Sequence, residues 1–167
     1  AKRGLQANGS NIPIMMSSHN GLPASGGALG GLDQLEGDFE AYGMAIAADE
    51  DTPARQFYET LVADYGLKAP WNVVTAMGVS QGLFVATVID HAIAANGAEG
   101  LTGEMVREAL FAGPITTEET HGFLPSLTFT PEAPFPLEGL KVNVGTVKDG
   151  KITIEAIGVD VPDVQKW

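Results

Sequence analysis

The polar cluster SSHNG at Ser17–Gly21 holds the side chains best suited to small-molecule chemistry in this chain. It directly follows the continuous apolar run IPIMM at residues 12–16, which is typical of a strand buried on both faces of a parallel sheet. In open α/β sheets, ligands bind outside the carboxyl ends of the strands, where a few polar groups orient them. Ser18, His19 and Asn20 are therefore candidate ligand contacts, and an ordinary polar turn is the alternative.

Other chemistry-bearing residues form no metal or phosphate pattern. His19, His91 and His121 are far apart, and none belongs to a ligand-spaced pair. The glycine pairs at residues 26–27 and 30–31 lack the Lys and Ser/Thr of a phosphate-binding loop, so a flexible loop is predicted there. We therefore predict no catalytic residue, no metal site and no cofactor.

Composition excludes several further classes of protein. The chain has 167 residues, near the usual size of one domain, and a formal net charge of -12 from 21 acidic and 9 basic residues. This balance opposes binding to nucleic acid or to anionic lipid. The absence of cysteine excludes disulfides and thiolate zinc sites.

The remainder of the chain is organised around one long apolar stretch, Trp71–Asn96, which contains no proline. On a helical wheel its polar residues gather into one narrow stripe: Asn72, Ser80, Thr87, Asp90 and His91. A helix that is apolar around most of its circumference has to be covered by protein on most sides. Gly78 and Gly82 lie one turn apart, which lets another backbone come close. The polar interruptions favour a buried soluble helix over a membrane span, which needs about 20 mostly apolar residues.

Start and stop signals predict the other elements. Helices are predicted to end near residue 9 and to run from Thr52 to Gly66 and from Thr102 to Gly113. Strands are predicted at residues 12–16, 39–48, 124–130, 140–147 and 151–157. Residues 17–32 are predicted to be mainly loop, with room for a short helix. Asp149-Gly150 predicts a hairpin that turns these side chains to the core: Val142, Val144, Ile152 and Ile154.

The order of these features resembles a known family. A strand, a polar loop and a second strand precede a Thr-Pro helix that ends in Tyr65-Gly66 and an alanine-rich helix entered through an aromatic residue. Three further elements follow: a short helix ending in Ala109-Leu110, a strand with Leu127-Thr128-Phe129 and the hairpin around Val147–Lys151. Over nearly its whole length the chain is similar to the C-terminal part of periplasmic binding proteins of the branched-chain amino acid (Leu/Ile/Val-binding) family, the receptors of ABC importers.

The resemblance implies an α/β, type I periplasmic-binding-protein fold. Its two parallel-sheet lobes carry helices on both faces, and the ligand lies in the cleft between them. Only part of each lobe would be present here. Residues 1–48 would end lobe two, residues 49–131 would end lobe one, and residues 132–167 would form a C-terminal hairpin returning to lobe two. The implied partners are the missing N-terminal half of the same protein and the membrane subunits of an ABC importer, in the periplasm or another extracytoplasmic location.

The resemblance also implies which residues contact the ligand. The loop with Ser18, His19 and Asn20 occupies a place where amino-acid-binding members often carry a carboxylate for the ligand ammonium, and Trp71 occupies a place near the ligand side chain. Because this loop holds no acid, an α-amino acid, an amide, a keto acid and another small carboxylate all remain open. The predicted function is a non-enzymatic solute-binding receptor. The alternatives are a ligand-sensing regulatory protein of the same fold and an enzyme on a generic α/β fold.

Overall fold

The computed structural model describes residues 1–18, 21–133, 136 and 140–162. Its strands form one mixed four-stranded sheet. The strands are β1 (Met15–Ser17), β2 (Phe39–Tyr42), β3 (Lys141–Lys148) and β4 (Lys151–Asp160). They lie in the order β1-β2-β3-β4, with β1 and β2 parallel and both later pairs antiparallel. The hairpin near the end of the chain therefore extends the sheet that the first 48 residues begin.

Helices in the described part of the chain follow their sequence signals. They are α1 (Lys2–Ala7), α2 (Leu22–Leu29), α3 (Pro53–Tyr65), α4 (Val73–Asn96) and α5 (Gly103–Ala112). The side chains of Thr52, Asn72 and Thr102 each accept a hydrogen bond from a backbone N–H in the first turn of α3, α4 and α5. Gly66 ends α3 in the left-handed conformation, with φ of 69°. The predicted helices over residues 52–66, 71–96 and 102–113 are confirmed.

The predicted strands before the hairpin are shorter than expected or are not formed. β1 is an edge of the described sheet, and Ile12 and Met15 are 64% and 59% exposed, so this run is not buried on both faces. β2 stops at Tyr42, well before the predicted end at Ala48. Residues 124–130 contribute only an isolated bridge to residue 115. Apolar composition predicted the strands, but their length depends on the neighbouring strands available for pairing.

A helix replaces most of the predicted glycine loop. Residues 22–29 form α2, which has Pro23 in its first turn and ends at Gly30 with φ of 104°. Gly26 is buried, and a Cβ there would lie 2.9 Å from the side chain of Leu32. The flexible-loop prediction is therefore wrong for Gly26 and Gly27, because α2 packs closely on the 3-10 turn that begins at Leu32.

The predicted hairpin is confirmed. Asp149-Gly150 has positive φ at both residues, 51° and 70°, as a tight two-residue hairpin turn requires. Ile152 and Ile154 pack against core clusters, whereas the two β3 valines expected in the core are only half-buried. Register irregularities within Val142–Gly145 interrupt the alternation, and Val147 is the fully buried valine of this strand.

The hydrophobic core consists of several clusters. Two clusters join α3, α4 and α5 to residues 115, 123 and 129. Two others join α2 to the sheet and residues 42–48 to β4. Residues 44–48 contribute to both groups, since Met44 and Ala45 pack with the helices and Ile46 packs with β4. The division into residues 1–48, 49–131 and 132–167 stays a prediction.

The exposure of α4 differs from expectation. Ser80 and Thr87, from its polar stripe, are only 4% and 7% exposed, whereas Val74 and Val85 are 71% and 55% exposed. A Cβ added at Gly78 would meet no atom within 4 Å. Only five of its 24 residues are buried, so the described residues do not supply the predicted covering on most sides. By length and composition alone α4 could also cross a membrane, but a core helix of a soluble protein passes the same test.

Candidate ligand-binding site

The polar loop after β1 leads directly into α2. Ser18 follows β1 in a turn and is half-buried. His19 and Asn20, the other two candidate contacts of this loop, lie outside the described residues. Gly21 is the N-cap of α2, and Leu22 is its first helical residue. The candidate loop is therefore bounded by a strand end on one side and a helix start on the other.

A buried acid that sequence reasoning missed lies against the end of this loop. Glu40 pairs with Met16 across β1 and β2, and it is fully buried. Its Oε2 accepts hydrogen bonds from the backbone N–H of Leu22 and from the hydroxyl of Tyr42, both at 2.7 Å. Burial raises the pKa of the Glu40 carboxyl group, although both hydrogen bonds act to lower it. Burial is also the main cause that raises the pKa of the Tyr42 hydroxyl, and the hydrogen bond to Glu40 is the second.

Trp71 lies in an aromatic cluster between α3 and the start of α4. Its indole N–H donates a hydrogen bond to the carbonyl of Ala48 at 2.9 Å. Its ring centroid lies 5.0 Å from that of Tyr58 and 6.1 Å from that of Phe123. Trp71 is only partly buried, and the guanidinium of Arg55 lies over its ring at 5.6 Å from the centroid. Among the described contacts, no hydrogen bond or ring contact joins it to Ser18.

The start of α4 has one of its backbone donors already occupied. The first-turn amides of a helix lack intrahelical partners and can bind an anionic ligand group. Asn72 Oδ1 already accepts the hydrogen bond of the Thr75 backbone N–H at 2.9 Å. An anionic group beside Trp71 would therefore have to use the other amides of that turn.

Residues 78–82 match the G-x-S-x-G pattern of a nucleophile elbow, which the sequence reasoning had overlooked. That motif needs its serine exposed on a sharp turn between a strand and a helix. Ser80 instead lies in the middle of α4, is 4% exposed and donates its hydroxyl to the carbonyl of Met77 at 2.8 Å. The local structure therefore does not fit that catalytic role.

Two histidines make specific contacts away from the candidate loop. His91 Nε2 lies 2.6 Å from Oε1 of Glu119, which links α4 to the loop after α5. The ring of His121 stacks on Phe57 with centroids 4.0 Å apart. The described residues contain no cluster of three His, Asp or Glu side chains that could hold a metal ion.

Replacing Glu119 by glutamine is expected to lower the free energy of unfolding by about 1 kcal/mol or less at pH 7, because the pair is partly exposed. The bonds from His91 and Thr116 lower the pKa of Glu119 from 4.5 to about 2. Its stabilisation is therefore fully present above pH 4.5 and lost as the pH falls toward 2. Urea unfolding of the complete protein from pH 7 to pH 3 should show the two stabilities converging. Glu118→Gln, at an exposed neighbouring glutamate, is the control, and an equal effect of both variants would contradict the assignment.

The described residues line two surface crevices of similar size. One of about 420 Å³ is lined by residues of α1, β1 and α2, among them Lys2, Met16 and Leu29. Another of about 360 Å³ lies between the loop after α5 and the hairpin, beside Leu124 and Asn143. Neither is lined by Ser18 or Trp71.

Comparison with known proteins identifies the fold. No family model and no curated protein sequence matches the chain. A branched-chain amino acid ABC transporter protein from Thermus thermophilus, solved with bound valine, matches with a TM-score of 0.66 at 19% identity, over 99% of this chain and 44% of its own. A leucine-binding protein from Thermotoga maritima matches with a TM-score of 0.63 at 19% identity, over 97% of this chain and 41% of its own. A solute-binding protein from R. palustris in complex with benzoate matches with a TM-score of 0.56 at 17% identity, over 98% of this chain and 41% of its own.

These structural neighbours are solute-binding proteins of ABC transporters, as the resemblance predicted. The chain has their α/β, type I periplasmic-binding-protein fold. It spans 41–44% of the length of these three proteins, so it corresponds to only part of the fold.

Proposed function

We propose that this chain is the C-terminal part of an extracytoplasmic solute-binding receptor of an ABC importer, not an enzyme. The fold that it shares with three solute-binding proteins, over 97–99% of its length, carries this proposal. The ligand is a small amino acid, amide or carboxylate, held in the cleft between two lobes. Ser18, His19 and Asn20 line one wall of this cleft, and Trp71 lines the other.

The chemistry of the two walls supports this class of ligand. The hydroxyl of the half-buried Ser18 can hydrogen-bond a polar group, and the partly buried indole of Trp71 can cover an apolar one. Valine and benzoate, which two of the structural neighbours hold, each combine a carboxylate with an apolar group. The net charge of -12 opposes binding of a large polyanion instead.

The remaining part of the protein is the first proposed partner. In this proposal residues 1–48 and 132–167 belong to lobe two, and residues 49–131 belong to lobe one. Apart from one isolated bridge, the described residues in 49–131 form no strand. The helices there pack on one another and on adjacent loops, and Val73 at the start of α4 also packs on the cluster that joins residues 42–48 to β4. The N-terminal half supplies the sheet against which α4 packs, and the membrane subunits of the importer bind the closed, liganded form.

A thermal-shift screen of the complete protein tests the ligand class. L-Valine, L-leucine, benzoate and acetamide are the probes, and L-lysine is the control because an apolar wall disfavours its charged side chain. A probe at 100 times its Kd should stabilise the protein by about 2.7 kcal/mol. If none of the four probes shifts the transition, the proposed ligand class is wrong.

A second experiment separates the importer receptor from a regulatory sensor. The liganded protein is added to proteoliposomes that hold the cognate ABC membrane subunits. A receptor is expected to stimulate ATP hydrolysis only when it carries its ligand. A regulatory sensor would leave the ATPase rate unchanged and would bind another protein in a ligand-dependent manner.

A further inference from the structure

We propose that Glu40 is a positioning residue of the ligand-binding loop, a role that rests on the proposed function. The described residues on both sides of this loop are held to β2. At its start, Ser17 pairs with Ala41 in the parallel sheet. At its end, the Leu22 backbone N–H donates to Glu40 Oε2 at 2.7 Å. One strand therefore sets the position of the segment that carries Ser18.

The carboxylate is itself oriented by a second buried group. The Tyr42 hydroxyl donates to the same Oε2 at 2.7 Å, and Tyr42 is only 1% exposed. Glu40 Oε1 is buried, and no described residue provides a hydrogen-bond partner for it. A buried carboxyl oxygen without a donor destabilises a fold, and perturbed acids of this kind concentrate at functional sites.

Glycine at the loop end fits this arrangement. A Cβ at Gly21 would overlap Oε1 and Cδ of Glu40, so any side chain there would displace the carboxyl group. The absence of a side chain lets the backbone lie directly on the acid. The backbone at Gly21 and the carboxyl group of Glu40 are therefore closely packed against each other.

β2 provides a matched control for the test. Asp38 is also fully buried, and its Oδ1 accepts from Lys2 Nζ at 2.8 Å and from the Ile14 N–H at 2.9 Å. Its Oδ2 likewise has no hydrogen-bond partner among the described residues. Asp38 holds the segment before β1, and no described contact joins its side chain to the loop after β1. A general effect of losing a buried acid from β2 should therefore appear in both Asp38→Ala and Glu40→Ala.

The test compares both variants and Glu40→Gln in the complete protein by amide hydrogen exchange and by calorimetric titration with L-valine and benzoate. Glu40→Ala is expected to speed exchange at Leu22 by about tenfold or more, with α4 unchanged, because the amide loses its acceptor. It should also weaken probe binding by about tenfold or more, a loss typical of one buried hydrogen bond. Glu40→Gln keeps an acceptor oxygen, so it should restore most of both properties.

Three outcomes decide the proposal. Equal losses in Glu40→Ala and Asp38→Ala, or unchanged exchange at Leu22, would overturn it. If Glu40→Ala does not fold, Tyr42→Phe is the substitute variant, because it removes the orienting hydroxyl with little change of shape. It should increase hydrogen exchange at Leu22 by a smaller factor than Glu40→Ala. Unchanged exchange in Tyr42→Phe would overturn the positioning role of Glu40. If neither probe binds the wild type, the proposed ligand class fails, while the exchange at Leu22 still decides whether Glu40 positions the loop.

Discussion

Replacing Trp71 by alanine in the complete protein is expected to lower the free energy of unfolding by about 2–4 kcal/mol, somewhat less than the loss of about 3–5 kcal/mol for a fully buried aromatic side chain. It should also weaken binding of the ligand found in the thermal-shift screen by more than about 1 kcal/mol. The first loss follows from the ring contacts with Tyr58 and Phe123 and from the indole hydrogen bond to Ala48. The second follows from the place of Trp71 in the apolar wall of the proposed cleft.

Two further variants separate these contributions. Trp71→Phe keeps an aromatic ring but loses the bond to Ala48, so it should cost about 1 kcal/mol of stability and retain most of the ligand affinity. Tyr65→Ala truncates an aromatic residue of α3 that is 80% exposed, and it should change neither property. Urea unfolding measures stability, and calorimetric titration measures affinity. Reduced stability with unchanged affinity in Trp71→Ala would show that this residue only fills the core.

Helix boundaries could be predicted from the sequence because their signals are local. Thr52 and Pro53 specify the start of α3 by a side-chain cap and a fixed φ, and Gly66 ends it. Asp149-Gly150 specifies the hairpin in the same way. Each of these signals acts within a few residues and therefore needs no tertiary information.

Strand length and helix environment could not be predicted, because both depend on distant partners. Residues 43–48 are as apolar as β2, yet they leave the sheet, and part of them packs among α3 and α4. The glycines of α2 suggested a loop, but its packing against Leu32 outweighs their poor helix propensity. The polar stripe of α4 does not mark its exposed face, because Ser80 and Thr87 are buried while Val74 and Val85 are exposed.

The candidate site was predictable only in part. The position of Ser18 after β1 followed from the apolar run before it. Glu40 was missed because an acid in an alternating strand normally faces water, and alternation alone does not tell which face is covered. Tyr42, two residues after Glu40, was a usable signal that this acid is buried. The two side chains point to the same face of the strand, where a phenol can hydrogen-bond a buried carboxylate.

The exposed apolar face of α4, defined here as Val74, Gly78, Gly82 and Val85, leads to the second large expected effect. Expressed alone, the 167-residue chain is expected to associate, because this face and the free edge of β1 are exposed together. Sedimentation velocity should show concentration-dependent oligomers, and a hydrophobic dye should bind. A cooperative melt of a monomeric isolated chain would contradict this prediction.

The double variant Val74→Gln with Val85→Gln should act in opposite directions in the two forms of the protein. In the isolated chain these valines are 71% and 55% exposed, so glutamine should reduce association without loss of folding. In the complete protein the same side chains would be buried against the sheet of the N-terminal half, where each unpaired polar group costs about 1–3 kcal/mol. Val62→Gln on α3, at a position 37% exposed, is the control and should have a small effect in both forms. A double variant that leaves the complete protein equally stable would show that the N-terminal half does not cover this face. Sedimentation with and without liposomes would then test whether a second copy of the chain or a lipid bilayer covers it.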